Sequence, residues 1–114
     1  MGAKKILPAY HLISNGDMST TITSNITNIT NLDNIGIEWA WTGTPTGTFQ
    51  ILASISGQNF IPLSFSDPLP TTSGSAGVWF TDLGLVSFYQ IQIVYTPTSG
   101  VGTLNVWIGG KDLN

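Results

Sequence analysis

Residues 88–108 read FYQIQIVYTPTSGVGTLNVWI and carry the clearest structural signal in the chain. Apolar and polar residues alternate from 88 to 96 and again from 103 to 108, and the turn-forming sequence PTSGVG separates the two segments. Alternation with a period of two is typical of strands that bury one face. We therefore predict two strands joined in a hairpin. The side chains predicted to face inward are Tyr89, Ile91, Ile93, Tyr95, Leu104, Val106 and Ile108, and those predicted to face outward are Gln90 and Gln92.

The segment before this hairpin repeats the pattern. Every second side chain is apolar in residues 35–41, and residues 49–55 alternate in the same way after the turn sequence TGTPTG. A short strand at 60–65 contains Pro62, which is compatible with an edge or a bulge but not with the middle of a sheet. We predict a loop at 66–77 and a strand at 78–83. The alternating apolar residues of the first two strands are Ile35, Ile37, Trp39 and Trp41, followed by Phe49, Ile51, Ala53 and Ile55.

These segments predict an all-β fold class. The chain has 114 residues, which fits one domain, and Gly, Pro, Thr, Ser and Asn interrupt it at short intervals. Strong helix signals are absent, and about eight short strands predict an antiparallel two-sheet sandwich that is jelly-roll-like. Residues 35–114 form the core of this predicted sandwich.

The first 34 residues have a different character, because they are polar and rich in Thr, Asn and Ser. Their apolar residues Ile22, Ile26 and Ile29 are not spaced by two throughout. We therefore expect residues 1–34 to form an N-terminal extended arm with the first strands. This arm would pack either on the same domain or on a neighbouring molecule.

The charge content excludes several classes of partner. Only 8% of the residues are charged, against about 25% in a typical domain. There is no arginine, the three lysines are Lys4, Lys5 and Lys111, and the net charge is −3. A nucleic-acid-binding surface needs a basic stripe, and attachment to a membrane through a polybasic patch needs a cationic cluster. No apolar run approaches the roughly 20 residues of a membrane helix. We expect neither a nucleic acid nor a membrane as a partner.

The same composition favours contacts with other proteins. A surface made of Ser, Thr, Asn, Gln and Gly can be desolvated with little loss, whereas Lys and Glu are depleted at the centres of interfaces. Such a surface is also poorly protected against edge-to-edge association of sheets. The chain therefore has the composition of a component of an assembly. The alternative is a neutral extracellular binding domain.

Residues for catalysis or metal binding are few. His11 is the only histidine, there is no cysteine, and the six carboxylates are scattered singly, mostly beside turns. Zinc sites need three or four Cys, His or carboxylate ligands, and a nucleophilic Ser or Thr needs an adjacent base. We therefore predict no catalytic residue, no metal ligand and no cofactor, and we do not expect an enzyme.

Aromatic residues are the candidates for surface contacts. Trp107 falls on the opposite face of its strand from Leu104, Val106 and Ile108, and Trp79 lies opposite Val78 and Phe80. Trp39 and Trp41 belong to an apolar face and are predicted to lie in the core. The candidate contact residues are Trp79, Trp107, Gln90 and Gln92. An exposed tryptophan on this chain is either a subunit contact or a platform for a sugar.

Residues 41–49 read WTGTPTGTF and residues 98–106 read TSGVGTLNV. With the intervening ASISGQNF and the final IGGK, this spaced pattern over residues 35–111 resembles small virion structural proteins of tailed bacteriophages. Gln90 and Gln92 stand where relatives often carry an arginine. The middle of the chain also resembles discoidin-like and carbohydrate-binding jelly rolls.

The resemblance to phage proteins implies a β-sandwich located in the virion, with a non-enzymatic role. The chain would decorate the capsid or form part of the tail or a fibre. Its partners would be further copies of itself, with a trimer favoured, and other virion proteins. The alternative implied by the second resemblance is a module that binds a carbohydrate or a host receptor.

Overall fold

The computed structural model describes residues 6–29, 34–63, 69–85 and 88–111. In these ranges the chain forms strands and no helix, which confirms the predicted all-β class. The ten strands are β1 (Ile6–Asp17), β2 (Ile22–Thr23), β3 (Thr27–Asn28), β4 (Asn34–Gly43), β5 (Thr46–Ser54), β6 (Ile61–Pro62), β7 (Thr71–Ser73), β8 (Gly77–Leu85), β9 (Gln90–Ser99) and β10 (Gly102–Lys111).

The strands form two antiparallel sheets that pack face to face. The first sheet has the order β1-β10-β4-β8, and the second has the order β2-β9-β5-β6. In the second sheet β3 also pairs with β9 and β7 also pairs with β5. Because β5 and β9 pair with each other along their length, β2 and β3 share one edge of this sheet, and β6 and β7 share the other. The predicted two-sheet sandwich is confirmed.

The core consists of alternate residues from the inner faces of both sheets, as the period-two pattern predicts. Trp39 is fully buried, and its ring centroid lies 4.8 Å from that of Phe49, which in turn lies 4.9 Å from that of Tyr95. The inward position predicted for Tyr89 is wrong, because Tyr89 is exposed, and Ile55 at the end of the alternating segment 49–55 is exposed as well. Both lie just outside a strand, since β5 ends at Ser54 and β9 begins at Gln90. The buried strand residues that match the prediction are Ile35, Ile37, Trp39, Trp41, Phe49, Ile51, Ala53, Ile91, Ile93, Tyr95, Leu104, Val106 and Ile108.

The predicted hairpin of residues 88–108 is wrong as a pairing, although both strands exist. Strand β9 belongs to the second sheet and pairs with β5, whereas β10 belongs to the first sheet and pairs with β4 and β1. The connection between β9 and β10 therefore crosses from one sheet to the other as an arch. Both strands still turn their apolar faces inward, but these faces meet across the core instead of lying side by side.

A second arch joins β4 to β5, and the two arches lie against each other. The Thr44 amide donates a hydrogen bond of 2.8 Å to the Val101 carbonyl oxygen. Gly100 has a φ of +84°, and a Cβ atom on it would collide with the Thr44 backbone. Only glycine adopts this conformation without strain and leaves room for the other arch. The turn sequences TGTPTG and PTSGVG thus build one packed end of the sandwich.

Residues 6–29 pack on the same domain, which was one of the two alternatives for the N-terminal segment. Strand β1 pairs with β10 at the edge of the first sheet, and β2 and β3 pair with β9 in the second. Ser24 fixes the chain between β2 and β3, because its hydroxyl oxygen accepts a hydrogen bond of 2.8 Å from the Ile93 amide. Its own amide donates to the Ile93 carbonyl oxygen. The apolar residues of this segment in the core are Leu12, Ile13, Met18 and Ile29.

The segment predicted to be a loop contains a strand. Strand β7 pairs with β5, and the Thr72 hydroxyl lies 3.1 Å from the Tyr95 hydroxyl inside the sandwich. The three polar residues TTS show no apolar alternation, so the pattern had no means of indicating this strand. Pro62 lies in the edge strand β6, as predicted, while residues 64–68 of the predicted strand and loop lie outside the described residues.

The turn after β1 gives a prediction on pH dependence. An Asp17 carboxylate oxygen accepts hydrogen bonds from the Ser19 hydroxyl at 2.7 Å and the Ser19 amide at 3.0 Å, which lower the pKa of Asp17 below its ordinary value of 3.8. A pKa depressed by folding adds stability above the ordinary value and loses it as the pH falls through the depressed pKa. Urea unfolding between neutral pH and about pH 2 should show a small loss in this acid range. Asp17→Asn should remove this part of the pH dependence, and identical profiles for both proteins would contradict the assignment.

Candidate interaction surface

Four side chains form a row across the outer face of the first sheet. His11 on β1 is in register with Trp107 on β10, Trp107 with Glu38 on β4, and Glu38 with Phe80 on β8. Directly opposed residues in a sheet lie on the same face. We call His11, Trp107, Glu38 and Phe80 the outer row. It places two aromatic side chains two strands apart, with a carboxylate between them.

Trp107 lies on the outer face, opposite Leu104, Val106 and Ile108, as its position in the strand indicates. Its ring packs against the His11 imidazole with a distance of 4.8 Å between centroids and a tilt of 36°. Trp107 is consequently half-buried, whereas His11 is exposed. The contact fixes the tryptophan on the sheet and leaves part of its surface open.

Phe80 was not singled out by the sequence, yet it is the most exposed aromatic side chain of the outer row. A Cβ atom on Gly36 would lie 3.0 Å from the Phe80 ring, so the ring rests on the glycine backbone. The neighbouring outward residues, Val78 on the same strand and Ala40 opposite it, are also apolar. Phe80 and Val78 together make an apolar patch at the margin of this face.

Trp79 points to the other side of β8 from Val78 and Phe80, as predicted, but this side faces the core. It is in register with the fully buried Trp39. It stays partly open because β8 is the last strand of the sheet. The exposed fractions of Val78, Trp79 and Phe80 are 72%, 44% and 64%, so all three consecutive large side chains are accessible. The alternating pattern of β8 could not predict that side chains on both faces are accessible, because alternation assigns one face of a strand to the core.

Gln90 and Gln92 lie half-buried on the outer side of β9, and of these two only Gln92 makes a side-chain hydrogen bond to the described residues that supports the local structure. The Gln92 side-chain amide donates a hydrogen bond of 3.1 Å to the Ser24 carbonyl oxygen and so holds the segment between β2 and β3. The Gln90 side-chain oxygen lies beside Gly57, where a Cβ atom would come within 3.0 Å of it. The structure does not bring either glutamine together with Trp79 or Trp107 in one site.

The four sheet edges differ in how well they could accept another strand. The edge of the second sheet is split into β2 and β3 on one side and into β6 and β7 on the other, each of two or three residues. Strand β1 is long but contains Pro8, three register shifts against β10, and Asn15 with a φ of +52°. Short strands, prolines and bulges are the features by which proteins block edge pairing.

Strand β8 has none of these features over residues 77–81. Its register against β4 is regular there, and the single irregularity lies beyond Asp82. The segment reads GVWFT and contains no proline and no charged residue. We call residues 77–81 the exposed edge. Within the described part of the chain, no strand pairs with β8 on the edge that faces away from β4.

The described residues contain no group of three or more His, Cys, Asp or Glu that could hold a metal ion. In the same residues no helix is long and apolar enough to cross a membrane. Comparison of the chain with models of known protein families, with curated proteins and with solved structures gives no match.

Proposed function

We propose that the protein is a non-enzymatic structural component of a bacteriophage virion that acts through contacts between subunits. The observation that carries the proposal is the exposed edge, where three consecutive large apolar side chains lie on a regular, uncharged stretch of the edge strand β8. Monomeric proteins usually block such an edge, because it can pair with another chain. An edge that remains open in a chain with so few charges is suited to an interface.

We also infer that the sandwich is a jelly roll. With β2 and β3 counted as one strand position and β6 and β7 as another, there are eight positions in chain order. The sheets then have the orders 1-8-3-6 and 2-7-4-5, so each position is followed by one in the other sheet, except for positions 4 and 5, which are neighbours in the second sheet. Two Greek keys wound together in this way define the jelly roll, an architecture frequent in viral capsid proteins. The strand order thus supports the virion assignment.

The virion assignment is tested by the composition of the particle. Purified particles of the phage that encodes this chain should contain its peptides at a fixed ratio to the major capsid or tail protein, as measured by quantitative mass spectrometry. Cryo-electron microscopy should then place the sandwich at a repeated position. Absence of the chain from particles that contain all other structural proteins would overturn the proposal.

A second candidate function, binding of a neutral carbohydrate, is favoured by the outer row. Trp107 and Phe80 lie two strands apart, which is about 10 Å, and Glu38 lies between them with its hydrogen-bonding carboxylate. Sugar rings stack their C–H faces on aromatic rings while their hydroxyl groups bind polar side chains. Binding on a glycan array that is lost in Trp107→Ala and kept in Trp79→Ala would support this candidate. The absence of any glycan signal would remove it.

A further inference from the structure

We propose that two copies of this chain pair through the exposed edge, with strand β8 antiparallel to its counterpart about a two-fold axis at Trp79. The inference rests on the proposed function as an assembly protein and specifies the first contact that it makes. The first sheets of the two copies would join into one continuous sheet of eight strands. The occupant of the edge is thus a second copy of the same edge.

The register of this pairing follows from the two faces of β8. Directly opposed residues of two paired strands lie on the same face of the sheet, whereas successive residues of one strand lie on opposite faces. The symmetry axis must therefore pass through a residue and not between two residues. With the axis at Trp79, residues 77–81 of one copy oppose residues 81–77 of the other. This is the stretch over which β8 is regular, since its irregularity begins after Asp82.

Charge favours the antiparallel arrangement at this position. Asp82 of one copy would face Ala76 of the partner subunit, and the two Asp82 carboxylates would stand six residues apart, about 20 Å. A parallel arrangement would set them side by side. An axis one residue further, at Phe80, would instead place each Asp82 opposite a Val78. The axis at Trp79 pairs the whole of residues 77–81 with the same residues of the other copy and leaves Asp82 outside the paired segment.

The side chains brought together are complementary. Val78 of each copy would lie opposite Phe80 of the other on the outer face, and cross-strand pairs of an aromatic with a β-branched residue stabilise sheets. The Phe80 ring already rests on Gly36, so it offers its other side to the incoming valine. On the inner side the two Trp79 rings would cover each other. Val78, Trp79 and Phe80, the exposed large apolar side chains of this edge, are thus all buried by one contact.

The first test is the oligomeric state of the full chain. Sedimentation velocity over a range of concentrations should show a monomer–dimer equilibrium. Val78→Lys places an ammonium group against Phe80 of the partner subunit and should raise the dimer dissociation constant about tenfold or more. Because Val78 is exposed, the variant should fold, which circular dichroism would verify. Ile26→Lys is the matched control, since Ile26 is exposed between β2 and β3 and should leave the dimer unchanged.

The second test addresses the register by disulfide formation in a chain that has no native cysteine. Directly opposed residues bring their Cα atoms within about 5.5 Å, which a disulfide can span, whereas diagonal neighbours at about 7–8 Å are too far apart. A mixture of Val78→Cys and Phe80→Cys should therefore form a cross-linked dimer on mild oxidation. Each variant alone should cross-link much more slowly, and equal rates for the mixture and the single variants would contradict the register.

Failure of this inference can be distinguished from failure of the proposed function. A chain that stays monomeric at high concentration, or a trimer that Val78→Lys does not affect, would overturn pairing through the exposed edge. If the chain is nonetheless found in purified particles, its role in the virion stands and its contacts lie elsewhere. If the chain forms a dimer that is sensitive to Val78→Lys but is absent from purified particles, the pairing is supported and the proposed role in the virion is contradicted.

Discussion

Trp39→Ala should lower the free energy of unfolding by about 3–5 kcal/mol, the largest single effect expected in this protein. Trp39 is fully buried, and the cavity left by its ring would be lined by the aromatic side chain of Phe49. The indole N–H also donates a buried hydrogen bond of 2.9 Å to the Thr81 hydroxyl, which would lose this partner. Since domains are stable by only about 5–15 kcal/mol, the variant should lie close to the unfolding threshold.

Urea unfolding followed by far-ultraviolet circular dichroism measures this loss without relying on tryptophan fluorescence. Trp107→Ala is the matched control, because Trp107 lies on the adjacent strand but on the outer face, where truncation should cost about 1–2 kcal/mol. Trp39→Phe removes the N–H and part of the ring system but keeps a six-membered aromatic ring in the core, so its loss should be smaller than that of Trp39→Ala. Equal losses for Trp39→Ala and Trp107→Ala would contradict the assignment of the two faces of the sheet.

Gly47→Ala should lower the free energy of unfolding by about 1–3 kcal/mol, although it adds only one methyl group. That methyl would lie 2.5 Å from the Thr96 carbonyl oxygen and 2.6 Å from the Tyr95 hydroxyl oxygen. Neither group can yield easily, because Thr96 contributes backbone from the paired strand β9 and the Tyr95 hydroxyl is buried 3.1 Å from that of Thr72. The strand interior therefore requires glycine at this position for space.

The next residue on β5 supplies the comparison for Gly47→Ala. Thr48 is exposed, and Thr48→Ala should change the free energy of unfolding by no more than about 0.5 kcal/mol in the same urea experiment. If Gly47→Ala lowered the free energy of unfolding no more than Thr48→Ala, this result would contradict the close approach of β9 to β5 at Gly47.

Most of the core could be predicted from the sequence because burial of one face imposes a period of two. In residues 35–41 and 103–108, alternate apolar side chains were assigned to the inner face, and all of these lie in the core. The pattern failed at Ile55 and Tyr89, where the alternation continues by one residue beyond the strand. Alternation says which face is apolar, but not where backbone pairing ends.

The pairing of strands could not be predicted in the same way. A hairpin and an arch both join two strands with inward apolar faces, and both use glycine in the turn. What distinguishes them here is contact between remote segments, since Gly100 and Thr44 lie 56 residues apart in sequence and meet at the packed end of the sandwich. A short-range pattern contains no information about which of two sheets a strand joins.

Only part of the candidate surface could be predicted, because a local pattern shows the face on which a residue lies but not whether its strand is at an edge. Trp107 was assigned to the outer face from its parity, which is a local property. Phe80 and Val78 could not be predicted as surface residues, because an apolar residue in a strand is usually buried and their exposure follows from the pairing of β8 with β4 on one side only. Edge position is a property of the whole sheet and has no counterpart in the sequence of the strand.

The irregular course of β1 limits how many molecules such an assembly can contain. A sheet that is open at both ends can recruit copies without limit and grow into a fibre. Here the proline, the register shifts and Asn15 make β1 a terminator, and the fragmented edges of the second sheet act likewise. Under the proposed pairing, each molecule has a valence of one for strand addition, so polymerisation would stop once β8 is occupied. In a chain with very few charges to oppose aggregation, the distorted strand β1 would then keep the product finite.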